Sequence, residues 1–102
     1  MRIYVAGKIT GDRHYKRKFR RAERALARLG HSVMNPAALG NYPEFTWEDY
    51  MRTSRAMQEV CEAVCLLGDW SRSRGALIEY DRARELGQEI FYGVEAVPGA
   101  AP

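Results

Sequence analysis

Residues Ala63–Gly87, AVCLLGDWSRSRGALIEYDRARELG, decide how the chain is read. Ala63 to Leu67 is a short, wholly apolar run closed by Gly68, as in a strand covered on both faces. Asp69, Trp70, Ser71, Arg72, Ser73 and Arg74 then make a polar loop at the strand's carboxyl end, where open parallel sheets place their ligand crevice. Gly75 is small enough to let a ligand approach the backbone. Ala76, Leu77, Tyr80, Ala83 and Leu86 follow at offsets 0, 1, 4, 7 and 10, a helical core stripe. Glu79 neighbours Gly75, Ala76 and Ala83 on that helix, so it leans to the small-residue side about one turn in. The helix dipole favours its ionised form there. An ionised carboxylate beside a crevice is a candidate nucleophile.

The same strand, loop and helix order opens the chain. Arg2–Ala6, RIYVA, reads as a strand, and Gly7–Gly11, GKITG, as a loop in which Lys8 and Thr10 stand between glycines. Backbone N–H groups, an ammonium and a hydroxyl are together the equipment for holding a phosphate. The spacing is neither the Walker pattern nor the full dinucleotide fingerprint. Tyr4 falls near the carboxyl end of that first strand, where its phenol can reach the crevice from below.

From His14 to Leu29, the residues Tyr15, Phe19, Ala22, Leu26 and Leu29 recur at helical spacing, with Gly30 as the stop. The other face carries Lys16, Arg17, Lys18, Arg20, Arg21, Arg24 and Arg28. Such runs are usually solvated faces, and no aromatics are interleaved for base stacking, so nucleic acid is a minor reading. His31–Asn35 makes a second strand ended by Pro36, and Ala37–Phe45 a loop long enough to cover part of a site. Thr46 with Asp49 forms a capping-box signature for a helix from Trp47 to about Glu62. Trp47, Tyr50, Met51, Ser54, Met57 and Cys61 are its inward face. Glu89–Gly93 is a fourth strand, and residues 96–102 read as a flexible tail after one domain at 1–95.

The alternation β-α-β-α-β-α-β predicts an α/β protein, a Rossmann-like three-layer α/β/α fold with right-handed crossovers and a four-stranded parallel sheet, for which we choose the strand order 2-1-3-4. That order puts the loops at Gly7 and Asp69 across one crevice. Tyr4, Lys8, Asn35, Ser73 and Glu79 are expected to converge there.

At 102 residues one modest core is possible and a second is not. No apolar run reaches the length of a membrane span, and Met1 leads directly into a strand, so the expectation is a cytoplasmic protein. Cys61 and Cys65 have no further Cys or His at zinc-site spacing and are expected to be buried free thiols. The net charge of +3 is uneven: residues 1–28 hold ten Lys or Arg against Asp12 and Glu23, a balance of +8, leaving −5 for the rest.

Five motifs in order, IYVAGKITG, Asn35 with Pro36, WEDYMR, CEAVCLLGDW and SRGALIE, resemble the IYIAGPMTG, NP, WEEYMR, CDAVALLPGW and SRGA-to-E pieces of a small bacterial and phage branch of the nucleoside 2-deoxyribosyltransferase superfamily. The resemblance spans residues 2 to 93. It implies action on the N-glycosidic bond of a nucleoside or nucleoside 5′-monophosphate, without metal or cofactor, in a homodimer. By similarity to 2′-deoxynucleoside 5′-phosphate N-hydrolase, Glu79 matches the glutamate that attacks C1′ and Tyr4 the tyrosine that positions it. Ser73 and Gly75 match the phosphate-holding serine and the glycine of the loop before the nucleophile. Lys8 stands where that enzyme has a serine near the phosphate. Gly7, Thr10, Gly11, Asn35, Asp69 and Trp70 complete the expected binding set, with Trp70 and Tyr42 flanking the base. Ser54 departs from the pattern: the family has there an aspartate that helps protonate the leaving base. Either a nearby acid such as Asp49 or Asp69 substitutes, or the base leaves with other help, or activity is weak or lost. A nucleotide-binding or sensing module without turnover, and a nucleic-acid-binding accessory protein, are the rival readings.

Overall fold

The computed structural model describes residues 1–101. Seven main elements follow one another: β1 (Arg2–Ala6), α1 (Tyr15–Arg28), β2 (Ser32–Met34), α2 (Trp47–Glu59), β3 (Ala63–Leu66), α3 (Arg74–Leu86) and β4 (Glu89–Tyr92). Short 3-10 turns lie at Pro36–Leu39, Trp70–Arg72 and Val94–Ala96. The four strands are parallel and stand in the order β2-β1-β3-β4, the order chosen so that the loops after β1 and β3 face each other.

Strand alternation assigns the layers. Ile3 and Val5 of β1 face the side on which α1 packs Phe19, Ala22 and Leu26. Tyr4 and Ala6 face the other side with Val64 and Leu66, below Cys61 and Ala83. Burying Phe19 and Leu26 fully contributes about 1.5–3 kcal/mol each. Tyr4 is thereby committed to the layer of α2 and α3, from which Glu79 descends.

Several expected boundaries and faces differ. α2 stops at Glu59 rather than near Glu62, because the Glu62 N–H donates to the Arg2 carbonyl (3.0 Å) and the chain has already entered sheet register. Its buried residues are Ser54 and Gln58. In α3 the buried set is Ala76, Glu79 and Ala83, while Leu77 and Leu86 are 41% and 49% exposed. Leu77 lies about 100° round the helix from Ala76, so a stripe that admits Glu79 turns Leu77 to solvent. Of the segment expected to be a loose tail, residues 97–100 are docked, and Pro102 lies outside the described residues. Val97 is buried in the α1-side core, the His31 ring nitrogen Nε2 pairs with the Pro98 carbonyl at 2.6 Å, and the Ala100 N–H donates to Leu29 (2.8 Å). Cys61 and Cys65 are free and buried. No helix among the described residues is long and apolar enough to cross a membrane.

Candidate functional site

A cleft of about 1020 Å³ opens at the carboxyl ends of β1 and β3, at the upper end of the size usual for small-molecule sites. Its floor is Tyr4, Glu79 and Ser54. Its rim comes from the loop after β1 (Gly7, Thr10, Gly11, Arg13), the segment after β2 (Pro36, Leu39, Asn41) and the start of α3 (Ser73, Arg74, Gly75). Phe45, Trp47, Tyr50 and Met51 form the wall contributed by α2 and the loop before it. The Thr46 and Asp49 capping box is present, with bonds of 2.8 and 3.1 Å, and fixes where that wall begins.

Glu79 is 5% exposed, and its Oε2 accepts the O–H of fully buried Tyr4. Burial raises its pKa from 4.5 to about 7, against the opposing pull of the Tyr4 and Ser54 hydroxyls and of the Arg82 charge. Sequence reasoning expected the helix dipole to keep this carboxyl ionised; desolvation outweighs that effect. Tyr4 is pushed well above 10, first by burial and then by the adjacent Glu79, so it remains a donor. Ser54 donates to the Met51 carbonyl at 3.2 Å. Ser73 caps α3 by accepting the Ala76 N–H (3.1 Å), and the N–H groups of Arg74 and Gly75 at the helix start have no partner within the helix, at residues that line the cleft. At Gly75 a Cβ would meet Met51 Sδ at 3.2 Å, so a side chain there would press on the α2 wall.

Of the expected site residues, Glu79, Tyr4, Gly7, Thr10, Gly11, Ser54, Ser73 and Gly75 line this cleft; Lys8, Asn35, Asp69 and Trp70 do not. Asp69 is held by Lys18, which also binds Asp12 (2.6 Å) and the Lys8 carbonyl (2.8 Å), while the Lys8 N–H donates to Asp69 (3.0 Å). Burial acts to raise the Asp69 carboxyl, but the Lys18 and Lys8 bonds prevail and lower it. The clasp ties the two loops together behind the cleft. Asn35 turns away to cap the following 3-10 turn (2.9 Å to the Ala37 N–H) and donates to Glu23 at 2.9 Å. Trp70 stacks on Tyr80 with ring centroids 4.9 Å apart and reaches toward Tyr92, on the β4 side of α3. Tyr42 stays outside, packed edge-on to Phe45. The aromatic wall offered to a ligand is therefore Phe45, Trp47 and Tyr50, with Tyr15 at the rim. Trp47 is itself braced by the Arg74 guanidinium, 4.5 Å from its ring.

Gln58 was missed. It is fully buried and donates to the Glu79 carbonyl (2.8 Å) and to Gln88 (3.1 Å), while accepting from Arg82 (3.1 Å). A signal existed, since Gln58 follows Ser54 by one helical turn on the inward face. Neither proposed substitute for the absent aspartate reaches the cleft. Asp49 belongs to the capping box and Asp69 to the clasp, so the lining carboxyls are Asp12 and Glu79 alone. Among the described residues no three His, Cys, Asp or Glu side chains gather closely enough to hold a metal ion.

The arrangement is a buried carboxyl poised to ionise near neutrality, a phenol holding it, cations Arg13, Arg72 and Arg74 at the mouth, and an aromatic wall. Comparison with solved structures finds the same fold in a 2-deoxyribosyltransferase from the psychrotolerant bacterium Bacillus psychrosaccharolyticus, with a TM-score of 0.70 at 20% identity over 88% of this chain and 69% of that one. Among curated proteins no sequence match is found. The family model described as "Domain of unknown function (DUF4406)" matches residues 1–92, nearly the whole chain, and the protein belongs to that family.

Proposed function

We propose that the protein cleaves or exchanges the N-glycosidic bond of a nucleoside or nucleoside 5′-monophosphate through Glu79. The observation that carries this reading is a carboxyl buried to 5% exposure at the floor of an open cleft, bonded to Tyr4 and with a pKa of about 7. Such a group can be the ionised nucleophile at neutral pH, and its shift is of the kind found at reactive sites. In this reading a Glu79 oxygen bonds to C1′ as the C1′–N bond breaks, and that bond's electron pair stays on the base nitrogen. Water through its oxygen, or a second base through a ring nitrogen, then bonds to C1′ as the bond to Glu79 breaks and the carboxylate is freed, and the proton that the water or second base gives up goes to the departed base, as in retaining glycoside chemistry. Tyr4 holds the attacking oxygen. Ser73, the free N–H groups at the start of α3 and the guanidinium groups of Arg13, Arg72 and Arg74 receive the 5′-phosphate. The base stacks against Phe45, Trp47 or Tyr50. The reaction belongs to a single domain that includes the packed segment through Ala100, working as a homodimer.

A second reading, nucleotide binding without turnover, is favoured by one observation: Ser54 occupies the place where an acid would protonate the leaving base, and Asp12 is already bound to Lys18. One experiment separates the two. Purified protein is incubated with deoxynucleoside monophosphates and with nucleosides, and base release is followed by chromatography. Release by wild type and its loss in Glu79→Gln supports the first reading. Tight binding with equal, background release from both proteins supports the second.

A further inference from the structure

We propose that the outer face of α1 is a docking surface for a nucleic-acid backbone. Lys16, Arg17, Arg20, Arg21, Arg24 and Arg28 are all exposed. At 100° per residue they fall within an arc of about 140°, opposite Phe19, Ala22 and Leu26 in the core. None of the six makes an ion pair, a side-chain hydrogen bond or a ring contact among the described residues, where the ion pairs are Lys18 with Asp12 and Asp69, and Arg55 with Glu59. Lys18 is the one cation of this run outside the arc, and it alone is paired.

The folded chain bears this face at a cost it does nothing to relieve. Six pairs at spacing i,i+3 or i,i+4 set like charges side by side, which weakens a helix. The first turn of α1 holds no acidic residue, and its cations stand at the positive end of the helix dipole. Glu23, which could relieve them, is engaged with Asn35 at the edge of the arc.

Charge density identifies the partner that relieves the strain. Lys16 to Arg28 rise about 18 Å, one positive charge per roughly 3 Å, against one phosphate per about 3.4 Å along a nucleic-acid strand. A membrane surface is a poorer fit, since a helix lying on lipid inserts an apolar face and that of α1 is already buried in the core. No aromatic or amide side chain stands in the arc, so the contact is to phosphates and independent of base sequence. The face begins next to the cleft, whose rim includes Asp12, Arg13 and Tyr15. The proposal does not rest on the glycosidase reading.

Fluorescence anisotropy with short labelled single-stranded and duplex DNA of random sequence tests it. Six phosphate contacts give a slope of log affinity against log salt of about −5 for duplex and about −4 for single strand, and duplex affinity falls about 10³-fold between 50 and 200 mM salt. Arg17→Glu with Arg21→Glu should weaken binding at least about tenfold and reduce the slope by about 2. Arg20→Gln with Arg24→Gln, which keeps good helix formers, should act in the same direction, and circular dichroism confirms that both variants fold. Arg55→Glu on α2 should leave binding intact, as should Glu79→Gln, which silences only the proposed reaction. No anisotropy change at low salt, equal losses from Arg55→Glu and the α1 variants, or binding to anionic phospholipid vesicles but not to DNA would each overturn the proposal.

Discussion

Replacing Glu79 by Gln should stabilise the protein above neutrality and leave it nearly unchanged near pH 4.5. In the unfolded chain the carboxyl ionises at its ordinary 4.5; in the fold burial holds it protonated to about 7. Below the lower value both states carry the proton. Between the two, the folded state binds a proton that the unfolded state has released, so stability falls as pH rises. Above about 7 the fold bears the full cost of a buried charge. At about 1.4 kcal/mol per pH unit, that cost is about 3 kcal/mol. Gln keeps an oxygen to accept the Tyr4 O–H and has nothing to ionise. The other perturbed carboxyls do not confuse the window: Asp12, Asp49 and Asp69 are lowered from 3.8, so their contributions are lost only below that value. Urea unfolding of both proteins, followed by Trp47 and Trp70 fluorescence, measures the difference directly. The gap should open from near zero at pH 4.5 to about 3 kcal/mol in favour of Gln at about pH 8. A gap that stays constant across this range would show that Glu79 is solvated in the folded protein, and the reasoning would fail.

Three further outcomes follow from the same geometry. Base release should rise with pH along a limb centred near 7 as Glu79 ionises, and Tyr4→Phe should move that limb alkaline and lower kcat about 10- to 100-fold, the worth of one hydrogen bond to a charged group. Gln58→Leu should cost about 1–3 kcal/mol in urea unfolding, because it strips a partner from the buried Glu79 carbonyl and from the half-buried Gln88 and Arg82 side chains. Lys18→Met should cost about 1–2 kcal/mol and loosen the loops after β1 and β3, seen as faster amide exchange at Lys8, because the half-buried Asp69 carboxylate loses its cation.

The fold was legible because it depends on periodicities that are local. An apolar run at Ala63–Leu67, a 3.6-residue stripe through Phe19, Ala22 and Leu26, and the alternation of such units specify a parallel sheet, and its order 2-1-3-4 follows from placing the two glycine-bearing loops across one crevice. The helix faces were legible only in part: in α3 Leu77 and Leu86 turned to solvent while Glu79 lies with Ala76 and Ala83 as expected, and in α2 Gln58 joins Ser54, Met57 and Cys61 on the inward side. A count of apolar positions cannot anticipate a polar residue that brings its own hydrogen-bond partners into the core. The C-terminal segment is expected to be loose as chain ends generally are. Its anchor is a single Val97 side chain and two backbone acceptors, neither of which has a pattern.

The site divides along the same line. Tyr4, Ser73 and Glu79 were located because strand parity, helix capping and helix phase each fix a direction from a few neighbouring residues. Lys8, Asn35, Asp69 and Trp70 sit at strand ends, where direction is settled by whichever distant partner wins. Asp69 was captured by Lys18 from another helix and Trp70 by Tyr80 and Tyr92. The charge state of Glu79 lies one level deeper. A helix dipole contributes about 0.3–1 kcal/mol toward ionisation and rarely 2, whereas raising the carboxyl from 4.5 to about 7 requires about 3 kcal/mol net in the other direction. The helix phase places Glu79 beside Tyr4. Whether it is an ordinary carboxylate or a group that titrates near neutrality is decided by how much water the walls of α2 and β1 exclude, a quantity set only when the layers have packed.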